Sequence, residues 1–259
     1  MRARIPIAVV FVSLAGLTSC AGHKQARIEV PPPPAAEPQT SPEANGQGKP
    51  AAKPGNTASE SESAAEDATL SISADAVPLL TETGLASWYG APYHNRRGSN
   101  GEIYNMHAMT AAHRTLPLGS IVRVTNVKTG HAALVRITDR GPFVEGRVID
   151  VSYAAAQRLD IWQPGVASVK LEVMQTPASI AQGGRWAVQI GSFGSQKDAS
   201  ALADHLARRY HTAKVAKFAS PVGDWWVRVR VLNDDRKRAE DLAHETETAK
   251  GGVYLVRLD

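Results

Sequence analysis

The chain has 259 residues, a formal net charge of +4 at pH 7 and one cysteine, and it is long enough for two small domains with separate cores. Residues 21–83 hold 4 Lys/Arg against 9 Asp/Glu, residues 84–183 hold 10 against 6, and residues 184–259 hold 13 against 10. The mildly basic parts lack a concentrated Lys/Arg stripe with aromatics between, so we exclude nucleic acid and retain anionic lipid or an acidic polymer as partners.

The N-terminus predicts export and lipid anchoring. Two arginines precede an apolar stretch over 5–17, which is too short to span a membrane and has the size of a secretory signal. Leu17-Thr-Ser-Cys20 has the form of a bacterial lipoprotein signal, so we expect residues 1–19 to be removed and Cys20 to be acylated. An ordinary signal peptide with an incidental cysteine is the alternative. The residue after Cys20 is Ala21, whereas an Asp there would suggest retention in the inner membrane. By resemblance to lipoprotein sorting, we therefore expect the protein to be anchored at the periplasmic face of the outer membrane.

Residues 20–82 predict a disordered tether that begins at the acylated cysteine. The stretch contains four consecutive prolines at 31–34, further prolines, and then a Ser/Glu/Ala run without apolar periodicity. Such a composition cannot bury a core and favours extended, polyproline-like conformations in its first half. A tether of this kind gives an anchored domain reach away from the membrane. With no second cysteine, we expect no disulfide in the folded part.

Residues 83–175 predict a small β-barrel. The runs 121–126 and 133–139 alternate apolar and polar residues, as half-buried strands do. Residues 154–159 have good helix propensity and predict a short helix. Residues 169–173 alternate again and predict the closing strand.

This segment also contains short sequence motifs in a fixed order: Ala86-Ser-Trp-Tyr-Gly, Asn100-Gly-Glu, Met109-Thr-Ala-Ala-His, Leu116-Pro-Leu-Gly, Val122-Arg-Val-Thr-Asn, Asp139-Arg-Gly-Pro-Phe and Arg147-Val-Ile-Asp-Val-Ser. The stretch from Gly84 to about Val173 resembles the double-psi β-barrel domain of the rare lipoprotein A family of lytic transglycosylases. The resemblance implies a six-stranded double-psi β-barrel, and hence a mainly β, α+β chain, with activity on peptidoglycan.

A joint at 176–183, with a proline and a glycine, separates a last module at 184–259. Its patterns predict the order strand, helix, strand, strand, helix, strand, over 186–193, 196–209, 213–218, 225–231, 236–249 and 253–258. That order predicts a four-stranded antiparallel sheet with both helices on one face and the other face open.

The words Val188-Gln-Ile-Gly-Ser-Phe and Trp226-Val-Arg-Val-Arg-Val resemble those of SPOR domains, which bind peptidoglycan. Alternation predicts that Gln189, Trp226, Arg228 and Arg230 lie on the open face, away from the helices. An aromatic plane beside amide and guanidinium groups suits a sugar ring with N-acetyl and lactyl groups. A solvated outer sheet with one exposed tryptophan is the structural alternative.

The barrel segment carries candidate residues for cleaving a glycosidic bond. That chemistry needs a proton donor and stabilisation of an oxocarbenium-like transition state. Resemblance to rare lipoprotein A places Glu102, His113 and Asp139 in the active site. We expect Asp139 to act as acid and base and Glu102 as the second carboxylate. Asp150 is the rival acid, because related barrels that cut or loosen polysaccharides place their acid in a similar strand.

Each candidate also has a structural interpretation. Glu102 could be a solvated turn carboxylate, and Asp139 could cap the turn that follows it. Asp150 could hold strand-end amides or Arg147, and His113 could be a structural hydrogen-bonding group beside Asp139. A zinc site needs about three ligands, and no histidine spacing here supports one, so we expect no metal and no other cofactor.

Together these interpretations predict a monomeric periplasmic lipoprotein that cleaves MurNAc–GlcNAc bonds endolytically and forms 1,6-anhydroMurNAc ends. By resemblance, both domains should prefer septal glycan strands that lack stem peptides, in cell-wall remodelling and division. A non-catalytic, expansin-like peptidoglycan binder is the main alternative, and a metallo-amidase that cuts stem peptides is a third.

Overall fold

The computed structural model describes residues 72–73, 76–211, 214–246, 248 and 251–259. The predicted signal peptide, Cys20 and most of the predicted tether therefore lie outside the described residues. Within the described part, no helix is long and apolar enough to cross a membrane.

Six strands of the described chain close into a barrel. They are β1 Leu80–Tyr89, β2 Thr110–His113, β3 Ile121–Asn126, β4 Ala132–Asp139, β5 Arg147–Ser152 and β6 Val166–Gln175. Their order around the barrel is β1-β5-β2-β4-β3-β6. The pairs β1–β5 and β2–β4 are parallel, and the other pairs are antiparallel. This closed sheet is the predicted double-psi β-barrel, so the fold class is confirmed.

Alternating side chains fill the inside of the barrel. In β3, Val122 and Val124 are buried, whereas Arg123 and Thr125, which alternate with them, are partly exposed, as a half-buried strand requires. The helix α1, Tyr153–Arg158, begins where the Ser152 hydroxyl accepts a hydrogen bond from the Ala155 amide at 3.2 Å. Its two buried alanines join the barrel core.

The first strand begins earlier than the predicted domain boundary at residue 83. Residues 80–83 pair with β6, from Leu80 opposite Val173 to Thr83 opposite Lys170. Composition alone assigned this stretch to the tether, because its Thr and Glu residues resemble the polar run before it. Pairing with the long closing strand is what orders it.

The C-terminal domain consists of β7 Trp186–Phe193, α2 Gln196–Arg209, β8 Lys214–Ala219, β9 Trp225–Arg230, a 3-10 turn Leu232–Asp234, α3 Arg236–Glu245 and β10 Gly252–Arg257. Its four strands form an antiparallel sheet in the order β10-β7-β9-β8. Valines and isoleucine of the central strands pack against buried residues of both helices. The predicted SPOR-like arrangement is confirmed. The last helix ends before residue 249, because Thr246 turns out of it and its hydroxyl donates to the Leu242 carbonyl at 2.6 Å.

The prediction that the second face of this sheet is open was wrong for the centre of the sheet, whereas the β8 edge of that face is exposed. Gln189, Trp226, Arg228 and Arg230 do lie opposite the helices, but Gln189 is 1% exposed and Trp226 is 8% exposed. The barrel covers them, with the ring of Phe143 at 5.2 Å from that of Trp226. Strand alternation determines which side chains share a face, but it carries no information about what packs against that face.

Candidate functional site

A pocket of about 400 Å³ lies between the barrel and the covered face of the C-terminal sheet. Its described lining combines aromatic rings with charged groups of both signs. The acids are Asp139, Asp150 and Asp224, the arginines are Arg96, Arg97, Arg140, Arg147 and Arg228, and the aromatic residues are Tyr89, Tyr93, Tyr104, Phe143, Phe218 and Trp226.

Asp139 and Asp150 face this pocket from two strands that flank β2. Ala112 pairs with Asp150 of β5 on one side and with Asp139 of β4 on the other. Residues directly opposite in a sheet point to the same face, and adjacent strands lie about 4.8 Å apart, so the two Cα atoms are roughly 10 Å apart. The small side chain of Ala112 leaves open space between the two carboxyl groups.

Asp139 is held by three donors on one oxygen. The Ser99 amide donates to Oδ1 at 3.0 Å, the Arg140 amide donates to it at 2.7 Å, and the Ser99 hydroxyl is the third donor. Among the described residues, Oδ2 has no hydrogen-bond partner. The arrangement fixes the direction of the carboxylate and leaves one oxygen available to a ligand.

Asp150 is set deeper, with 15% of its side chain exposed. Arg147 Nη2 donates to Oδ2 at 3.0 Å, whereas Oδ1 is buried without a hydrogen-bond partner among the described residues. Burial raises the pKa of Asp150 to about 6, and the nearby charge of Arg147 opposes the increase. The group can therefore carry a proton at mildly acidic pH, which is the property that a general acid needs.

Tyr89 places a hydroxyl beside these acids that the sequence did not assign to the chemistry. Its ring stacks on Tyr104 with centroids 4.3 Å apart, and Tyr104 Oη donates to the Tyr89 carbonyl at 2.7 Å. The Tyr89 hydroxyl is buried and has no partner within the described ranges. Burial raises the pKa of Tyr89 well above its ordinary value, so the hydroxyl remains a donor.

Glu102 does not line the pocket with Asp139, contrary to the expectation of a carboxylate pair. Its side chain is 59% exposed, accepts a hydrogen bond from Asn100 Nδ2 at 2.7 Å and lies 3.8 Å from Arg136 Nη2. Its carbonyl accepts from the Gly98 amide at 2.8 Å. Glu102 thus braces the turn that presents Ser99 to Asp139. Two polar side chains within one turn bond to each other more readily than across a groove.

His113 is also outside the pocket. Its Nδ1 accepts hydrogen bonds from the Thr115 and Leu116 amides at 3.2 and 3.1 Å, so the proton is assigned to Nε2, which donates to Glu82 at 3.3 Å. The residue is 4% exposed, and burial lowers its pKa. The hydrogen bond from His113 lowers the pKa of Glu82. The geometry is that of a neutral structural histidine paired with Glu82, a residue that the sequence placed in the tether.

Arg140 follows Asp139 directly and points the other way, into the protein. Its guanidinium donates to the carbonyl oxygens of His113, Leu116 and Asp259 at 3.0, 2.7 and 2.6 Å. Burial lowers its pKa to about 10. No local pattern indicated a role for Arg140, although it lies within the Asp139-Arg-Gly-Pro-Phe motif.

On the C-terminal sheet, the four predicted binding residues separate into two groups. Gln189, Trp226 and Arg228 line the pocket, and Gln189 Oε1 accepts from Arg228 Nε and Nη2 at 3.0 and 2.6 Å. Arg230 is outside it and forms a paired hydrogen bond with Asp234. In the described part of the chain, no group of three His, Cys, Asp or Glu side chains could hold a metal ion.

The fold and pocket define a double-psi β-barrel protein with two carboxyl groups in a cleft lined by aromatic and charged side chains, joined to a sheet-and-helix domain. Residues 81–171 match the family described as lytic transglycolase, and residues 182–258 match the SPOR domain. These matches show a lytic transglycolase barrel domain and a SPOR domain in this chain, in keeping with the resemblance to the rare lipoprotein A family.

Two relatives illustrate the match. The endolytic peptidoglycan transglycosylase RlpA of Neisseria meningitidis serogroup B is 47% identical over 136 residues, which are 52% of this chain and 57% of that protein. The protein of the same name from Vibrio cholerae is 55% identical over 95 residues, which are 37% and 36%. The chain thus matches about half or less of these relatives' length. A solved expansin from Clavibacter michiganensis is 15% identical, with 60% of this chain and 81% of that chain covered and a TM-score of 0.30.

Proposed function

We propose that this protein is an endolytic lytic transglycosylase that cleaves the MurNAc–GlcNAc bonds of peptidoglycan and leaves 1,6-anhydroMurNAc ends. The observation that carries the proposal is the pair Asp150 and Asp139 on either side of Ala112. One carboxyl group is buried and has a raised pKa, and the other is oriented by three donors. Named relatives with this activity support the same reaction.

In the proposed mechanism Asp150 is the acid. It gives its proton to the glycosidic oxygen, the bond from that oxygen to the anomeric carbon breaks, and positive charge develops on the MurNAc ring. The Asp139 carboxylate stabilises that charge. The hydroxymethyl oxygen of the same MurNAc then attacks the anomeric carbon, and its proton passes to Asp150, which restores the acid. No water is consumed, so no second carboxylate is needed to activate one.

This assignment reverses the order that the sequence favoured, in which Asp139 was the acid and Glu102 the second carboxylate. The reason is physical: a general acid needs a protonated state near working pH, and burial of Asp150 favours that state. Asp139 instead receives hydrogen bonds, which a carboxylate accepts. Arg147 keeps Asp150 oriented at 3.0 Å and can stabilise the carboxylate after proton transfer.

The proposal also covers the cellular location of the protein and its substrate. A lipid on Cys20 and a long tether would hold the enzyme at the periplasmic side of the outer membrane and still let it reach the wall. The SPOR domain match supports peptidoglycan as the partner. We also propose that the enzyme is monomeric, that it prefers glycan strands without stem peptides, and that it acts at the division septum.

The test is mass spectrometry of amidase-treated sacculi after digestion with the full chain. We expect soluble glycans with 1,6-anhydro ends from the wild type and none from Asp150→Asn. Tight binding to sacculi without any product would support the expansin-like alternative. Chelator-sensitive release of peptides would support an amidase. Reducing ends in place of anhydro ends would indicate hydrolysis and overturn the proposed intramolecular attack.

A further inference from the structure

Hydrogen bonds between main-chain groups connect the two folded domains at the side of the linker. The Leu118 amide donates to the Asp259 carbonyl at 3.1 Å, and the Arg257 amide donates to the Arg114 carbonyl at 3.0 Å. Because buried main-chain groups lose free energy when they are left unpaired, these directional bonds hold the last strand of the C-terminal domain against one edge of the barrel.

The linker begins beside these hydrogen bonds and ends in two glycines. The hydroxyl oxygens of Ser120 and Thr176 lie 3.2 Å apart, and Ile180 still packs against the barrel core. Gly183 and Gly184 follow with positive φ angles of 67° and 86°, which glycine adopts without strain. A short joint of small residues next to a hydrogen-bonded edge is the geometry of a hinge between two domains.

On the side of the pocket, aromatic rings make the contact between the domains. The ring of Phe143, on the loop after Asp139, lies 5.2 Å from that of Trp226 and 5.8 Å from that of Tyr254. The guanidinium of Arg114 lies 5.7 Å from the centre of the Tyr254 ring. We call Phe143, Trp226 and Tyr254 the aromatic latch. Ring contacts of this kind stabilise the docked arrangement without the main-chain pairing found at the linker side.

The docked C-terminal domain covers the pocket that holds the two acids. Its residues 218–221 line the same pocket as Asp139 and Asp150, and Gln189 and Trp226 are only 1% and 8% exposed. The pocket volume of about 400 Å³ is near the lower end for sites that enclose one drug-sized molecule. An internal bond of a glycan strand carries sugars on both sides, which need a continuous groove rather than a pocket of this size.

We propose that the C-terminal domain is a lid over the catalytic cleft, held closed in the free protein by the aromatic latch. A glycan strand enters when the latch separates and the domain turns about the joint at 183–184. This inference rests on the proposed function, because cleavage of an internal bond is what requires an open groove. Because a strand fits the open form alone, its binding shifts the population toward that form. The free enzyme is therefore restrained, and contact with its polymer releases it.

Tyr254→Ala tests the latch from a residue that is not among the described residues lining the pocket. The variant loses the contacts with Phe143 and Arg114, whose combined contribution should shift the ratio of closed to open molecules about 5- to 50-fold. Because the proposed closed form predominates, cleavage of amidase-treated sacculi should become faster by up to that factor.

Tyr254→Phe is the matched control, because it keeps the ring and both of its contacts, and it should cleave at the wild-type rate. Thermal midpoints establish that each variant is folded. Unchanged cleavage by a stable Tyr254→Ala protein would overturn the proposal. Slower cleavage by that protein would overturn it too, since the docked domain would then take part in the reaction.

Spin labels measure the movement of the lid without any cleavage. Val127 and Val222 are 62% and 55% exposed and lie in the β3–β4 turn of the barrel and the β8–β9 turn of the C-terminal domain. The labels are attached through Val127→Cys and Val222→Cys in the full chain, which also carries Cys20→Ala to remove the native thiol and Asp150→Asn to prevent turnover.

Distances between the labels are then measured by pulsed electron paramagnetic resonance. We expect one narrow distance in the free protein and a second distance when long glycan strands from amidase-treated sacculi are added. Adding Tyr254→Ala should populate the second distance without strands. One unchanged distance in protein that sediments with the strands would overturn the proposal.

The two measurements separate this inference from the proposed reaction. If the wild type forms no anhydro product but strands change the distance, the proposed reaction fails and the lid is supported. If the wild type forms anhydro product while strands and Tyr254→Ala leave the distance unchanged, the reaction is supported and the lid is refuted.

Discussion

Asp139 and Asp150 face one pocket from strands that are not neighbours, and Ala112 on the strand between them pairs with both. The two carboxyl groups have different surroundings. Asp139 receives three hydrogen bonds on one oxygen, and Asp150 is buried beside Arg147 with one oxygen unpaired in the described structure. Different surroundings are how a protein assigns different roles to two groups of the same kind.

The first prediction compares the two aspartates. Asp150→Asn should lower product formation by about 10²- to 10⁴-fold, because proton transfer to the leaving oxygen contributes a factor of that size. Asp139→Asn keeps an acceptor for the Ser99 and Arg140 amides, so it should fold normally and lose activity through weaker charge stabilisation. Anhydro product measured by mass spectrometry, with thermal midpoints as controls, checks both. A fully active Asp150→Asn would return Asp139 to the role of acid.

The second prediction concerns pH. Because burial raises the pKa of Asp150 to about 6, activity that needs its proton should fall as pH rises through that value. Stability should change in the same direction, since a raised carboxyl pKa means that the folded state binds the proton more tightly than the unfolded state. Relative to Asp150→Asn, the wild type should lose roughly 2–3 kcal/mol of unfolding free energy between about pH 4 and pH 7.

Urea unfolding of both proteins across that range measures the difference directly. The comparison is needed because His113, whose pKa burial lowers, acts in the opposite sense and destabilises the fold as pH falls below about 6.5. That contribution is present in both proteins and cancels. Parallel stability curves for the wild type and the variant would show that Asp150 does not titrate as proposed.

The third prediction assigns Glu102 to positioning. Glu102→Ala removes the acceptor for Asn100 and the contact with Arg136, so Ser99 should hold Asp139 less accurately. We expect kcat to fall about 10- to 100-fold, the cost of a misplaced group. Glu102→Gln retains an acceptor and should restore most of the rate. The double variant with Ser99→Ala should be no worse than Ser99→Ala alone. Loss of all activity in a stable Glu102→Gln would instead indicate a carboxylate that acts on substrate.

The fourth prediction is that His113 supports the fold. His113→Ala leaves the Thr115 and Leu116 amides without their acceptor, and each buried unpaired group costs about 1–3 kcal/mol. Chemical denaturation should therefore show a loss of about 2 kcal/mol or more. Glu82→Gln keeps an acceptor for Nε2 and should cost much less. A His113→Ala protein with unchanged stability and no activity would place the imidazole in the reaction.

The fifth prediction tests the lipid anchor, which lies outside the described residues. Cys20→Ala removes the one thiol in the chain, so the protein should remain unprocessed or become soluble. Phase partitioning in detergent and the mass of the mature chain report the outcome. Cys20→Ser is a closer control, because its hydroxyl keeps the shape of the site but cannot form the thioether. Unchanged partitioning of both variants would contradict the lipoprotein proposal.

Strand alternation was the most informative part of the sequence. It located the runs 121–126 and 133–139 and placed Gln189 and Arg228 on one face of their sheet, because side-chain direction along a strand follows from local geometry. The helix over 196–209 was predicted with its observed bounds because its apolar period is clear, and in the structure the Ser195 side chain caps its first turn.

The assembly of the pocket could not be predicted in the same way. Asp150 and Asp139 are brought together through β2, and Ser99 reaches Asp139 across 40 residues, which are tertiary pairings without a local signal. The sequence motifs indicated that Glu102 and His113 are significant. They did not indicate whether these side chains contact substrate or support neighbouring residues. The covered face of the sheet depends on Phe143 meeting Trp226, and no period in either segment encodes that contact.

The hydrogen bond from Arg140 to Asp259 has a consequence for the order in which the parts of the protein fold. Its guanidinium needs the carbonyl of Asp259, 119 residues further along the chain, so the loop next to Asp139 lacks one of its bonds until that residue has been synthesised. The loop over residues 139–143 would then be completed only after β10 has docked against the barrel. Hydrogen exchange during refolding should show the amides of Arg140, Gly141 and Phe143 becoming protected together with those of β10, and earlier protection of the loop would show that it forms independently.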